Sequence, residues 1–421
     1  MSIAREELFT RTDAPPVQPV DGPWRDLPPV PHRPVHARIA RSLLHRAVNR
    51  LPVRVELPDG STTGAGATTD PLIRIRSDAF FHRVGSHGLI GFGESYMARD
   101  WDTDDIEAAL RPLVENALEL VPRWMQRLKR FYVQHLPSSE ANTVRGAQRN
   151  IARHYDLSNE LFALFLDDTM TYSSAMFDTD DQTLVAAQTV KIDRLLDETG
   201  VGEGTRLLEI GTGWGALAIR AAARGAQVTT LTLSREQQLL ARRRVAEAGF
   251  ADRVDIQLRD YRQADGQYDA IVSVEMIEAV GAQYWPTFFR VLDRVLAPGG
   301  MVGLQAIVLE HDRMLATRDQ YTWVHKYIFP GGALPSVRAI DETLREHTAL
   351  RIADTHAFGH DYAKTLGLWR ARFDAHADAV DAMGFDATFR RMWDFYLAYS
   401  QAGFATDYLD VVQLLLTRDA G

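Results

Sequence analysis

Cysteine is absent from all 421 residues. That removes disulfides, thiolate nucleophiles and cysteine-ligated metals together, and no metal site is expected. Long apolar runs are missing too: no window approaches the ~18–20 uninterrupted apolar residues of a membrane span, so any membrane contact is expected to be peripheral. Nor is there an excess of positive charge. A net charge of −9 argues against a dedicated nucleic-acid binder. The first residues carry Glu6, Glu7 and Asp13 with no apolar core segment, which is not a signal-peptide pattern, and a cytoplasmic location is expected. What is present, 46% hydrophobic and 24% charged residues, describes a globular chain long enough for two domains.

Residues 1–34 are rich in proline (Pro15, Pro16, Pro19, Pro23, Pro28, Pro29, Pro31, Pro34) and read as a flexible arm. VHARIARSLLHRAVNR (35–50) has helical periodicity, with Val35, Ile39, Leu43 and Ala47 on one side and Arg38, Arg41 and His45 on the other. Six arginines and no acid fall between Pro31 and Val55. Such a helix suits an anionic lipid surface, or packs with its charged face in water. VRVEL and LIRIRS read as strands, and GSHGLIGFGESYMARDW as a tight-turn segment without phosphate-loop spacing. Residues 123–153 are again basic, with Arg123, Arg127, Lys129, Arg130, Arg145, Arg149 and Arg153 against Glu140 alone. Interleaved Trp124, Phe131 and Tyr132 fit a membrane interface or a linker packed on an acidic domain.

From about residue 190 the pattern becomes strand, glycine loop, helix, strand, helix, the mark of a parallel α/β sheet. EIGTGWG (209–215) follows RLLEI and opens a helix, so Gly211, Gly213 and Gly215 let a ligand approach the backbone. Its G-x-G-x-G spacing is not the dinucleotide fingerprint. An acid before the first glycine, Glu209, repels a diphosphate and favours a cationic ligand, which points to S-adenosylmethionine. TLTLSREQQ offers Thr232, Leu233, Ser234 and Gln237 to the nucleoside in place of a lone acid. Tyr261 and Arg262 of RDYR end the next strand, where adenine would lie.

HYDLSNELFALFLDDTMTYSSAMF (154–177), LLEIGTGWG, TLSREQ, IEAVG and KYIFPGGALPS together resemble the cyclopropane-fatty-acyl-phospholipid synthase family over roughly residues 80–415. GFGESYM (91–97) resembles the small N-terminal lipid-binding module of its phospholipid-acting members. The resemblance implies a Rossmann-like class I methyltransferase core, a mostly parallel seven-stranded sheet with helical additions, behind a small α+β module. It divides the chain into the arm (1–34), a lipid-binding domain (35–122), a basic helical linker (123–153) and the methyltransferase domain (154–421). The implied reaction is methyl transfer to the cis double bond of an unsaturated phospholipid acyl chain. A carbocation results, and a bicarbonate ion takes the final proton. By the same resemblance Tyr172 and Ser173 meet the cofactor's amino-acid end, while the Ser174 N–H, Glu278, Tyr362 and Ile307 surround the ion. Ser174 and Ser400 replace family cysteines.

Where such synthases read S-x-G-x-F-E-H-V-G, this chain reads SVEMIEAVG: a glycine has become Glu275 and a histidine Ala279. Gln305 in GLQAIV replaces another histidine expected on the ion, and glutamine cannot be protonated near neutral pH. This substituted pattern resembles the branch making 10-methylene and, with a separate reductase, 10-methyl (tuberculostearic-type) chains. Ordinary cyclopropanation is the alternative, Glu275 then being a cofactor contact, and a non-catalytic lipid-binding protein is the alternative outside enzymes. Trp369, Phe373, Trp393, Phe395, Tyr399 and Phe404 either line an acyl channel or pack helices. Whether the chain forms a homo-oligomer is left open.

Overall fold

The computed structural model describes residues 21–116, 142–143, 146–147 and 158–418. Most of the basic stretch 123–153 lies outside them.

The N-terminal part is built on a four-stranded sheet, β1 (Arg54–Glu56), β2 (Thr62–Thr63), β3 (Leu72–Ile75) and β4 (Trp101–Thr103), in the order β2-β1-β3-β4. Helix Pro34–Val48 packs on helix Ala79–His87, with proline at its start supplying a preset φ. The face it buries differs from the expected one. Ala40 and Val48 are buried with Ala37 and Leu44 half-buried beside them, whereas Val35 and Ile39 are 66% and 48% exposed. The reason is that helix Ala79–His87 crosses at His36–Ala37, where a Cβ on Gly85 would stand 2.5 Å from the His36 carbonyl oxygen.

GSHGLIGFGESYMARDW is not a turn segment: Leu89–Met97 is a helix, entered through Gly88 at φ +57°. Its glycines serve close approach. A Cβ on Gly91 would lie 2.1 Å from the Arg83 carbonyl oxygen, and one on Gly93 2.5 Å from the Trp323 ring. The proline-rich arm also differs from expectation in its described part. Trp24 is 2% exposed, packed against Phe385 and Phe389, and the Pro28 carbonyl accepts from Arg83 at 2.7 Å. An indole has too much apolar surface to leave in water when helix Ala387–Ala405 offers an aromatic face.

The second sheet holds β5 (Arg206–Ile210), β6 (Gln227–Thr232), β7 (Val254–Leu258), β8 (Tyr268–Val274), β9 (Leu296–Val308), β10 (Leu350–Ala357) and β11 (Asp410–Arg418). Their order is β10-β11-β9-β8-β5-β6-β7, parallel except at β11, which is antiparallel to both neighbours. Strand order reverses beside β5, and a crevice opens there at the carboxyl ends of β5 and β8. The strands read as near-continuous apolar runs because helices cover both faces.

One aromatic core joins the two parts of the chain. Val53, Ile73 and Trp101 of the small sheet region belong to the same buried cluster as Phe162, Phe165, Trp369 and Trp393. Glu94, 0% exposed on helix Leu89–Met97, accepts from Lys326 and from the Tyr327 hydroxyl of the KYIFPGG segment. The division drawn at 35–122 is therefore crossed by shared packing. Among the described residues no helix is long and apolar enough to cross a membrane.

Candidate active site

The crevice is shaped by the turn after β5. Gly211 has φ +102°, and a Cβ there would stand 2.6 Å from Met276 Cγ; Gly213 has φ +50° with open space before it. Both are backbone conformations that glycine adopts without cost. The Gly211 and Thr212 N–H groups donate to the Leu231 carbonyl at 3.0 and 3.1 Å, which locks the turn to β6. Tyr172, Ser173, Glu209, Gly211, Gly213, Thr232, Leu233, Gln237 and Tyr261 all line this cleft, and so does Glu275. Glu209 accepts from Thr230 Oγ1 at 2.6 Å, and burial pushes its carboxyl up to about 8 against that bond and the Lys191 charge.

Three residues expected on the cofactor are not among those lining this cleft. Gly215 starts helix Ala216–Ala223 and faces Ala241. Ser234 caps helix Arg235–Glu247, its Oγ accepting the Gln237 N–H at 3.2 Å. Arg262 is spent on Asp260 at 2.7 Å and on the Asn142 carbonyl at 3.2 Å. Strand ends put these positions near the site in sequence; local capping and ion pairing turn them away.

At the cleft wall lies a half-buried carboxylate centre. Glu275 directly follows β8, and its N–H donates to the Gln305 carbonyl on neighbouring β9 at 2.8 Å. It holds φ +49°, a left-handed conformation rare for a residue with a side chain. Its Oε1 accepts from the Ser174 N–H at 2.9 Å and from Gln305 Nε2 at 2.8 Å, while Oε2 accepts from the Tyr362 hydroxyl at 3.0 Å. Burial raises the Glu275 carboxyl, while the Lys191 charge and these donors act against burial. Glu278 lies three positions on, in the short helix Ile277–Val280; its Oε1 accepts the Ile307 N–H, and its Oε2 is buried with no hydrogen-bond partner. Burial, reinforced by Glu275, pushes Glu278 up to about 8. Two adjacent carboxyls thus have different surroundings. One is wrapped in donors that act against its burial, while the other is pushed up by burial and by its neighbour, so the pair sets a proton acceptor beside a group that holds its proton more firmly. Burial and the same carboxylate raise Tyr362 well above the usual tyrosine range, so it remains a donor.

Tyr362, Ser174, Gln305, Glu278, Ile307 and Glu275 therefore come together, from helix Gly359–Ala375, the 172–174 loop, β9, and the segment after β8. The Tyr172 hydroxyl pairs with that of Tyr396 at 2.8 Å, and its ring lies 5.2 Å from that of Trp369. Trp369, Phe373, Trp393, Phe395 and Phe404 are all buried in the common aromatic core.

Two residues of the site were not singled out from sequence. Lys191 is 1% exposed on helix Leu184–Glu198 and lines the cleft; its Nζ donates to Ser173 Oγ at 2.7 Å. Gln413 on β11 pairs in register with Gln305 and donates to its Oε1 at 3.0 Å. Each left a signal: a lysine one turn from Ala187 and Leu195 on an apolar face, and a glutamine inside DVVQLLL.

With this geometry in view, comparison with known proteins is decisive. The mycolic acid cyclopropane synthetase family model matches residues 142–414. The chain belongs to that family. It is 52% identical over 407 residues to the tuberculostearic acid methyltransferase UfaA1 of Mycobacterium tuberculosis, covering 94% of this chain and 95% of that one. It is 34% identical over 386 residues to the cyclopropane-fatty-acyl-phospholipid synthase of Escherichia coli, covering 90% and 93%. Among solved structures, mycolic acid cyclopropane synthase CmaA1 complexed with SAH and CTAB superposes with a TM-score of 0.59 at 32% identity. That match takes in 97% of CmaA1 and only 64% of this chain. Family membership makes the chain an S-adenosylmethionine-dependent methyltransferase of the class I fold. The N-terminal sheet and its helices lie outside the stretch matched by the family model.

Proposed function

We propose that this enzyme methylates the cis double bond of an unsaturated phospholipid acyl chain and releases a 10-methylene chain. The observation that carries the reading is the Glu275 carboxylate, held by Ser174, Gln305 and Tyr362 at the wall of the cofactor cleft. The residues present fit S-adenosylmethionine: Tyr172, Ser173, Thr232, Gln237 and the Gly211–Gly213 backbone offer polar contacts, Tyr261 a ring face, and Glu209 a carboxyl whose ionised form a cation favours. S-Adenosylmethionine supplies an electrophilic methyl group, whose bond to sulfur breaks as an alkene carbon bonds to it, the electron pair leaving with sulfur.

The positive charge left on the neighbouring acyl carbon is a tertiary-structure problem, because water must be excluded while the cation lasts. A half-buried carboxylate and aromatic faces stabilise it. A hydride then moves from the methylated carbon to its neighbour, which brings the charge beside the new methyl. Transfer of a methyl proton to Glu275 leaves the exocyclic double bond. Removing that proton before the hydride moves would close a cyclopropane instead. Of the groups that the resemblance gives to bicarbonate, the Ser174 N–H, Gln305 and Tyr362 already hold Glu275 and the Ile307 N–H holds Glu278, so those residues do not fit a separate ion there and no step passes through one. Reducing the methylene to a methyl branch needs a hydride donor. No nicotinamide or flavin fingerprint occurs in this sequence, and a separate reductase would supply that step.

Peripheral docking on the cytoplasmic membrane face completes the reading. Val35 and Ile39 are exposed on the helix that carries exposed Arg38, a pairing suited to anionic lipid, and Leu89 is exposed at the start of helix Leu89–Met97. The test incubates the purified chain with S-adenosylmethionine and oleoyl phospholipid vesicles, without reductant and in bicarbonate-depleted buffer. Acyl chains are then analysed by gas chromatography–mass spectrometry. A methylene-branched chain one carbon longer is expected. A cyclopropane would make the chain a cyclopropane synthase, and no product from any unsaturated lipid would overturn the reading.

A further inference from the structure

Among the described residues, one lysine is buried beside the cleft and the carboxylate centre. Lys191 lies on an apolar face of helix Leu184–Glu198, between Gln188, Ile192 and Leu195. A lysine costs several kcal/mol to bury unless its charge is used. Two chains of contacts run from it to the same carboxylate. Through its Nζ it grips Ser173 Oγ at 2.7 Å, and the next residue's N–H grips Glu275. Through its carbonyl it accepts from Gln413 Nε2 at 3.2 Å; Gln413 donates to Gln305, which donates to Glu275. The loop closes on itself, joining a helix, β9, β11 and the segment after β8.

We propose that Lys191 is a positioning residue for this reaction: its ammonium fixes Ser173 at the cofactor cleft and supplies the buried counter-charge for Glu275. The idea rests on the reading of Glu275 as the proton acceptor. The charged groups facing Lys191 come from three directions: Glu275 after β8, Glu209 at the end of β5, and Asp167 in the loop after helix Asn159–Phe165. Burial pulls the ammonium down to about 8 and these carboxylates oppose that pull, so it is charged at neutral pH. Glu278 and Tyr362 also act on Glu275, and neither brings positive charge. Lys191 is thus the cation available to the carboxylate centre among the groups acting on it.

The sign follows directly. Turnover needs Glu275 ionised, so kcat rises with pH through its titration. Removing the ammonium raises that titration and moves the acid limb to higher pH. The test uses the full-length enzyme with Lys191→Met, of similar length and no charge, and Ser173→Ala, which keeps the charge and loses the grip. Methyl transfer to oleoyl phospholipid vesicles is followed against pH, and S-adenosylhomocysteine affinity by calorimetry. For Lys191→Met the acid limb should move up by about one pH unit or more, about tenfold in rate at a fixed pH on that limb. For Ser173→Ala the limb should remain in place while KM for S-adenosylmethionine rises. Equal loss of rate at every pH in Lys191→Met would overturn the proposal, as would a Ser173→Ala limb displaced as far as that of Lys191→Met. Should Lys191→Met not fold, Lys191→Gln, polar and uncharged, is profiled in its place: the same upward move of the acid limb is expected, and an unmoved limb overturns the proposal. Glu275→Gln is run alongside: wild-type turnover in it sinks the acceptor reading itself, whatever the lysine variants do.

Discussion

Glu275→Gly restores the residue type that the resembled synthases carry at this position, and its consequences can be worked from the contacts. Relief of the left-handed backbone at φ +49° returns about 1–2 kcal/mol. Against that, the Ser174 N–H, Gln305 Nε2 and the Tyr362 hydroxyl lose their acceptor. An unsatisfied buried donor costs about 1–3 kcal/mol, and water entering the space left behind recovers part, so the variant should lose a net ~2–4 kcal/mol. A general base contributes about 10²–10⁴ in rate, and turnover in bicarbonate-free buffer should fall within that range. The same donors then face a space suited to a small carboxylate-like anion. Added bicarbonate is therefore expected to raise both the melting temperature and turnover of the variant, and to leave the wild type unchanged. Thermal melts and product analysis by gas chromatography–mass spectrometry, with and without bicarbonate, make the assay. Wild-type turnover of Glu275→Gly in bicarbonate-free buffer would refute the reasoning.

Glu278 gives a pH test of stability: its ordinary value of 4.5 rises to about 8 in the fold. The unfolded chain sheds this proton above 4.5 while the folded one keeps it to about 8, so stability is full below that interval and falls as pH rises through it. Glu278→Gln has no proton to lose and should show a shallower fall in melting temperature between pH 5 and 8; an unchanged slope would place the effect elsewhere. Gly211→Ala meets both a φ of +102° and the Met276 side chain, and should cost at least about 2 kcal/mol and weaken S-adenosylhomocysteine binding in calorimetry. Lys326→Met removes one of the two basic groups on buried Glu94 and leaves His87, 3.5 Å from it. Lys326 is 29% exposed, so discounting for solvent, denaturant unfolding should show a loss of about 2 kcal/mol, and an unchanged midpoint would remove this contact from the tie between the N-terminal part and the core.

Several parts of this protein were legible in the residues alone. Alternation of apolar runs with helical periods announced the parallel sheet, because strands covered on both faces must be apolar throughout. The EIGTGWG turn marked the crevice at the carboxyl end of β5, because positive-φ glycines after a strand let the backbone open a cleft. Glu275 and Gln305 stood out as departures, being polar residues where the resembled pattern has other types. Sequence could not say that they touch. Their contact depends on β8 and β9 being neighbours in register, 30 positions apart in the chain. Nor could periodicity choose between the two faces of helix Pro34–Val48, since both carry apolar side chains and only the crossing helix decides which is covered. The glycines of GFGESYM read as turns because a glycine's need for close approach is set by the partner surface, here Arg83 and Trp323. Arg262 and Ser234 sit at strand ends, where sequence reasoning expects ligand contacts, yet a nearby carboxylate and a helix N-terminus claim them. Composition and local pattern thus determined the chemistry this chain can hold. The tertiary structure alone decided which charges meet, because burial brings Lys191, Glu275 and Glu278 out of water together from segments that share no local signal.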